Sequence, residues 1–188
     1  MTQFETPKSE CDGYRFLYFA YGSNLHPRRL SRRTPSARVL CQAALFGHRL
    51  RFHKLGRDGS GKCDAHPTGN PADRVHGALY RIDEGERAIL DRAESLGVGY
   101  DACLVQVQAG RETLKVWTYL AREQAKVRDI QPFHWYLELV LHGALYHGLP
   151  DDYVWAIARS ASSPDPDARR DQANRDILLE LQSDCISN

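Results

Sequence analysis

Apolar residues follow two rhythms along this chain. Up to about residue 121 they come in runs of strand length, and after residue 133 they come at helical spacing. The first run, residues 15–21, is rich in aromatics and is cut off by Gly-Ser-Asn, which reads as a strand feeding a tight turn. A short helix is predicted over residues 26–33, with Pro27 in its first turn and Thr34-Pro35-Ser36 as its stop. Residues 37–53 suit one or two strands, with Leu45, Leu50 and Phe52 inward, Arg49 and Arg51 outward, and Gly47 at a bend or bulge. Residues 54–74 are rich in Gly, Asp and Pro and are expected to form a long loop, interrupted by a brief strand at 63–66.

A further strand is predicted over residues 75–82. Asp83 and Glu86 have the spacing of a capping box, so a helix should follow as far as Ala93, with Ile82, Ala88, Ile89 and Ala93 as its apolar stripe. Glu94 falls at the end of that helix, before a glycine-rich turn over residues 95–100. Residues 102–108 and 113–121 flank Ala109-Gly110-Arg111-Glu112, a hairpin signal. Residues 133–146 are apolar almost all round and predict a buried helix, stopped by Gly148-Leu149-Pro150. A short helix through Arg159, a linker over 160–166 and a polar helix over 167–181 with Ile177, Leu178 and Leu181 on one side complete the chain. Strands and helices do not alternate strictly. The expected fold class is therefore α+β, a small, mixed, mostly antiparallel barrel-like sheet flanked by helices. The expected organisation is a flexible tail over residues 1–14, one domain over 15–158, and a linker with a polar helix over 159–188.

Composition narrows the function classes. With 188 residues, 42% hydrophobic and 26% charged, the chain has enough core for a globular domain. A formal net charge of +1 gives no global reason to expect nucleic acid or an anionic membrane as partner. The five cysteines are widely spaced, without a CxxC pair, so free thiols are expected rather than a zinc knuckle or a disulfide framework. With no apolar signal core at the start and no run of membrane-spanning length, a cytoplasmic protein is expected.

The turn Tyr21-Gly22-Ser23-Asn24-Leu25 lacks the Lys-Ser or Lys-Thr of a Walker loop, and Gly97-Val98-Gly99 lacks the third glycine of a dinucleotide fingerprint. Glycine at position 22 permits positive φ and close approach, and the following amides can form an anion-holding nest. Arg28, Arg29, Arg32 and Arg33 form a basic cluster beside the turn, expected to be a solvated face. His48, His53, His66, His76, His134, His142 and His147 show no metal-ligand spacing and are expected to be structural or at the surface. A nucleophilic Cys63–His66 pair would need a depressed thiol pKa.

The motifs taken together resemble one family. Phe-Leu-Tyr-Phe-Ala-Tyr-Gly-Ser-Asn-Leu (16–25), Pro-Ser-Ala (35–37), Val-His-Gly-Ala-Leu-Tyr-Arg-Ile (75–82), Leu-Asp-Arg-Ala-Glu (90–94), Gly-Val-Gly-Tyr (97–100), Thr-Tyr-Leu (118–120), Tyr136, Gly143-Ala144 and Gly148-Leu149-Pro150 come in order over residues 15–158. That set resembles the γ-glutamylcyclotransferase-like family. The resemblance implies a barrel-based α+β domain that closes a γ-glutamyl group into 5-oxoproline and releases an amine or amino acid. It implies Glu94 as the catalytic acid/base. Tyr21, Gly22, Ser23, Asn24, Leu25, Tyr100, Tyr119 and Tyr136 would line the substrate pocket, the turn amides holding an anion and the three later tyrosines donating hydrogen bonds. Ser95 stands where the family usually has glycine. No cofactor or metal is implied, and the partner is a small γ-glutamyl substrate rather than nucleic acid or membrane. Open alternatives are a specialised γ-glutamylamine as substrate, or a non-catalytic binding domain of the same fold. Oligomeric state is left open.

Overall fold

The computed structural model describes residues 14–182, so the expected tail, apart from Tyr14, lies outside the described residues, as do Cys11 and Cys185. Five strands close a barrel in the order β1 (Arg15–Ala20), β5 (Arg74–Asp83), β2 (Arg38–Phe46), β6 (Tyr100–Ala109) and β7 (Glu112–Ala121). Every pairing is antiparallel except the closing one, where β1 runs parallel to β7 with Tyr18 opposite Trp117. The α+β barrel expected from the sequence is the fold observed.

Outside the barrel, β3 (His48–Leu55) and β4 (Gly61–Pro67) form a two-stranded sheet of their own. This corrects the expectation of a long loop over 54–74. The glycines and Asp58 belong to the tight turn at residues 56–60, where the Gly56 amide bonds the Ser60 carbonyl at 2.8 Å. The strands on either side run past the polar composition. Asp64 explains their placement. Buried, its carboxylate accepts from the Ala121 amide at 2.8 Å and from the His53 ring at 2.8 Å, so β4 is tied to the end of β7.

Gly47 turns the chain between β2 and β3 with φ +72°, and Leu45, Leu50 and Phe52 face inward as expected. The bulge in β2 falls instead between Val39 and Cys41. The capping box after β5 does not form. Asp83 accepts from Arg15 at 2.9 Å and makes no cap bond, while Glu86 takes the Ser36 hydroxyl at 2.6 Å. A 3-10 turn therefore precedes α2 (Arg87–Ala93). The stripe of α2 is also corrected: Leu90 is buried, whereas Ala88, Ile89 and Ala93 are exposed.

The helices close one side. Within α3 (His134–Tyr146), Trp135, Tyr136, Leu139, Val140 and Ala144 are buried. It lies so close to the first turn that a Cβ on Gly143 would meet Leu25 Cβ at 2.7 Å, which only a glycine there avoids. After α4 (Asp151–Ala158), α5 (Ala168–Gln182) packs against α3 and sends Leu178 and Leu181 into the common core. Asp167 accepts from the amides of Arg169 and Arg170 and so caps the start of α5. Among the described cysteines, Cys41, Cys63 and Cys103 are free thiols. No helix among the described residues is long and apolar enough to cross a membrane.

Candidate active site

The strand β1 delivers Tyr21, Gly22, Ser23 and Asn24 to the mouth of the barrel, opposite the last turn of α2. The Leu25 amide bonds the Gly22 carbonyl at 2.9 Å and closes the turn. Among the described residues no protein acceptor takes the amides of Gly22, Ser23 or Asn24. Gly22 does not adopt positive φ. Its lack of a side chain matters because a Cβ there would lie 3.1 Å from Cys63 Cβ and 3.6 Å from the Tyr136 hydroxyl. Leu25 is the one turn residue turned away: fully buried, it gives its carbonyl to Tyr80 and His147, so it does not line the site.

Glu94 caps α2, with its amide on the Leu90 carbonyl at 2.9 Å, so its backbone is fixed by the helix. The next residue, Ser95, turns left-handed at φ +55°, a conformation glycine adopts more easily, and its carbonyl takes the amides of Val98 and Gly99. The Glu94 carboxylate reaches back to the turn, where Asn24 Nδ2 donates to Oε1 at 2.7 Å. Arg33 donates to Asn24 Oδ1 at 2.8 Å and lies 3.5 Å from Glu94 Oε1. Because a guanidinium can only donate, Arg33 fixes the Asn24 amide so that its NH₂ faces Glu94. Burial pushes the Glu94 carboxyl above the ordinary glutamate range, with Arg33, the Asn24 hydrogen bond, Lys54 and Arg29 pulling the other way.

Two connected cavities meet at this carboxylate. The inner one, a pit of about 30 Å³, is lined by Gly22, Ser23, Asn24, Glu94 and several tyrosines, so it has room for little more than an atom or two of substrate. The outer one, a chamber of about 240 Å³, shares Ser23, Glu94, Tyr100 and Tyr136 with the pit and opens outward past Lys54, Arg57 and Lys62.

The tyrosine walls do not all donate inward as expected. Tyr100 spends its proton on the Cys63 carbonyl at 2.6 Å, and Tyr119 spends its own on Asp91 at 2.6 Å. Tyr21 donates to the Tyr119 carbonyl. Tyr18 accepts from Asn24 at 3.3 Å and keeps a proton to donate, whereas Tyr136 accepts from the Cys63 amide at 3.1 Å and its hydroxyl also meets the Cys63 sulfur. Burial raises the hydroxyl pKa of all five tyrosines, which keeps them neutral.

Several lining residues were missed by the sequence reading. Tyr18 and Cys63 line the pit, and Arg29, Arg33, Lys54, Arg57 and Lys62 line the chamber. The basic cluster expected to be a solvated face divides in two: Arg28 and Arg32 reach Glu180 on α5, while Arg29 and Arg33 turn into the chamber. Burial, with Arg33 nearby, pulls Arg29 down to about 10. The run Asp58-Gly-Ser-Gly-Lys62, a tight-turn signal between two segments of strand length, was the available cue for the hairpin residues. A nucleophilic Cys63–His66 pair is ruled out, because burial drives the thiol up to about 12 and residues three apart on a strand face opposite ways. The hairpin does bring His53, Asp64 and His66 together, with ligand atoms within 4.8 Å of one another, as a group that could hold a metal ion. Lys126 already stands 3.8 Å from the Asp64 carboxylate and supplies a positive charge there.

Comparison with known proteins identifies the family. The model of the AIG2-like family matches residues 74–157. The γ-glutamylcyclotransferase of Bos taurus is 30% identical over 152 residues, covering 76% of this chain and 77% of the relative. The γ-glutamylcyclotransferase of Mus musculus is 28% identical over 158 residues, covering 77% and 81%. A solved γ-glutamyl cyclotransferase superposes with a TM-score of 0.78 at 25% identity, covering 89% of this chain and 99% of that one. The chain belongs to the γ-glutamylcyclotransferase family, and its function at family level is of that type.

Proposed function

We propose that this protein cyclises the γ-glutamyl group of a small substrate to 5-oxoproline, with Glu94 as the proton shuttle. The observation that carries this reading is the shared pit: Glu94 lines one small cavity together with Gly22, Ser23 and Asn24, whose amides have no backbone acceptor among the described residues. Nucleophile and electrophile are already tethered in the substrate, so the protein must mainly hold the attacking conformer. Glu94 takes a proton from the α-ammonium, and the amine attacks the γ-carbonyl carbon. The carbonyl oxygen becomes an oxyanion, which the turn amides stabilise. The bond to the leaving nitrogen then breaks as Glu94 returns a proton to it. Of the three ammonium protons, one stays on the lactam nitrogen, and Glu94 relays the other two in turn to the leaving nitrogen, which departs as an ammonium. Burial favours the shuttle role, because a carboxyl held above the usual glutamate range is a stronger base than an ordinary glutamate and can still give the proton back.

The test is 5-oxoproline release from a panel of γ-glutamyl amino acids and γ-glutamyl amines. Release from at least one compound is expected, and release from none would favour a binding domain of the same fold.

A further inference from the structure

The chamber carries more positive charge than the protein neutralises. Five cationic side chains line it against two acidic ones, Asp58 and Glu94. Both acids are already engaged, Asp58 by Lys62 at 2.7 Å and Glu94 by Arg33 at 3.5 Å. That leaves Arg29, Lys54 and Arg57 with no carboxylate at salt-bridge distance among the described residues. Lys54 is only 6% exposed, and its ammonium lies 4.8 Å over the Tyr100 ring. Arg29 has its Nε buried without a hydrogen-bond partner. Arg57 stands at the exposed tip of the β3–β4 hairpin, over the chamber mouth.

A buried cation without a counter-ion is costly, and a protein keeps one where a ligand supplies the missing charge. A γ-glutamyl compound of a neutral amino acid supplies too little. Its α-carboxylate is offset by its own ammonium, and one leaving-group carboxylate remains against three cations without a salt-bridge partner. An acidic leaving amino acid adds a second carboxylate, whereas a γ-glutamylamine adds none.

We propose that the chamber selects γ-glutamyl compounds whose leaving amine is a dicarboxylic amino acid, with Lys54 and Arg57 reading the extra carboxylate. This rests on the cyclotransferase reading and deepens it. It also disfavours the γ-glutamylamine alternative, because a leaving group without a carboxylate leaves every one of these cations unpaired.

The decisive comparison is γ-glutamyl-glutamate against γ-glutamyl-glutamine, which match in shape and differ in charge. Their kcat/KM values are read from 5-oxoproline release, with γ-glutamyl-ethylamide as the uncharged extreme. The glutamate compound should be preferred roughly tenfold or more, with the ethylamide last and the preference shrinking as salt rises. Arg57→Gln, at an exposed turn, and Lys54→Met should each shrink the ratio. Calorimetric binding of the same compounds to Glu94→Gln reads the preference without turnover. Equal handling of the glutamate and glutamine compounds overturns the proposal, as does a ratio that survives in Arg57→Gln and in the double variant. Turnover without charge preference would sink this proposal and leave the cyclotransferase reading standing. Charge-selective binding without 5-oxoproline from any compound would do the reverse, and binding of none would end both.

Discussion

Glu94 and Asp165 are two carboxylates held out of bulk water, and their surroundings move them in opposite directions. Asp165, between α4 and α5, accepts from Trp135 Nε1 at 2.8 Å, from Arg170 Nε and NH2 at 2.7 and 2.6 Å, and from the Asp167 amide at 2.9 Å. Those donors, Arg170 foremost, hold its carboxyl down at about 2. Glu94, with a side chain 17% exposed, has one short hydrogen bond from Asn24 and a guanidinium at 3.5 Å, and burial wins. A carboxylate whose lone pairs are all taken fastens α5 to α3. One left partly satisfied at the edge of a cavity has a lone pair to offer a substrate proton. The same contrast separates Lys62, paired with Asp58, from Lys54, which has no carboxylate at salt-bridge distance among the described residues and feels Glu94 only from further off.

The comparison breaks first at Glu94. Glu94→Gln should lower kcat by about a thousandfold, within the range of general acid–base catalysis, while circular dichroism and melting stay normal. The sign of the linkage supports the second half. A carboxyl raised in the folded state stabilises the fold while protonated, and this is lost as pH rises through its raised value, so a neutral amide costs the fold nothing at neutral pH. Unchanged turnover in this variant would remove Glu94 from the mechanism. Asp165→Asn should do the opposite, leaving kcat intact and destabilising the protein. The expected loss is about 2 kcal/mol, below the usual cost of breaking a buried pair because Arg170 is partly exposed and can be solvated. A drop in melting temperature of roughly 5 °C would register it. The contribution of Asp165 is complete above the ordinary aspartate range and fades as pH falls toward about 2, so the wild type and the variant should converge in stability in strong acid.

Much of the fold was legible because its cues are local. The run of residues 15–21, the hairpin at Gly110 and the Gly-Leu-Pro stop each fix structure within a few residues. The hairpin β3–β4 was misread because its turn composition spread over the strands, and because Asp64, which anchors it, acts through Ala121, 57 residues away. The stripe of α2 failed for a similar reason: the 3-10 turn before it shifts its phase, so Leu90 faces the core. At the site, Glu94 and the turn came from the resemblance, whereas residue types alone read each of them as ordinary. The cations were harder to read. Arg28, Arg29, Arg32 and Arg33 look alike in sequence, and only the placement of α5 and the hairpin separates the pair that meets Glu180 from the pair that enters the chamber.

The smallest expected effect tests how Glu94 is tuned. Arg33 acts on it twice, through its charge and by fixing the Asn24 amide. Arg33→Met removes the foremost of the influences that pull the Glu94 carboxyl down, so burial should carry it higher still. If the base must be ionised to take the ammonium proton, activity falls as pH drops through that value. The acidic limb of the kcat/KM profile should therefore move to higher pH in Arg33→Met and return toward its original position in Arg33→Lys, which restores the charge without the planar fork. A loss of activity with the limb unmoved would mean that Arg33 only holds substrate or structure. Glu94 would then owe its ionisation to Asn24, Lys54 and Arg29, and the contrast with Asp165 would rest more on hydrogen-bond count than on the Arg33 charge.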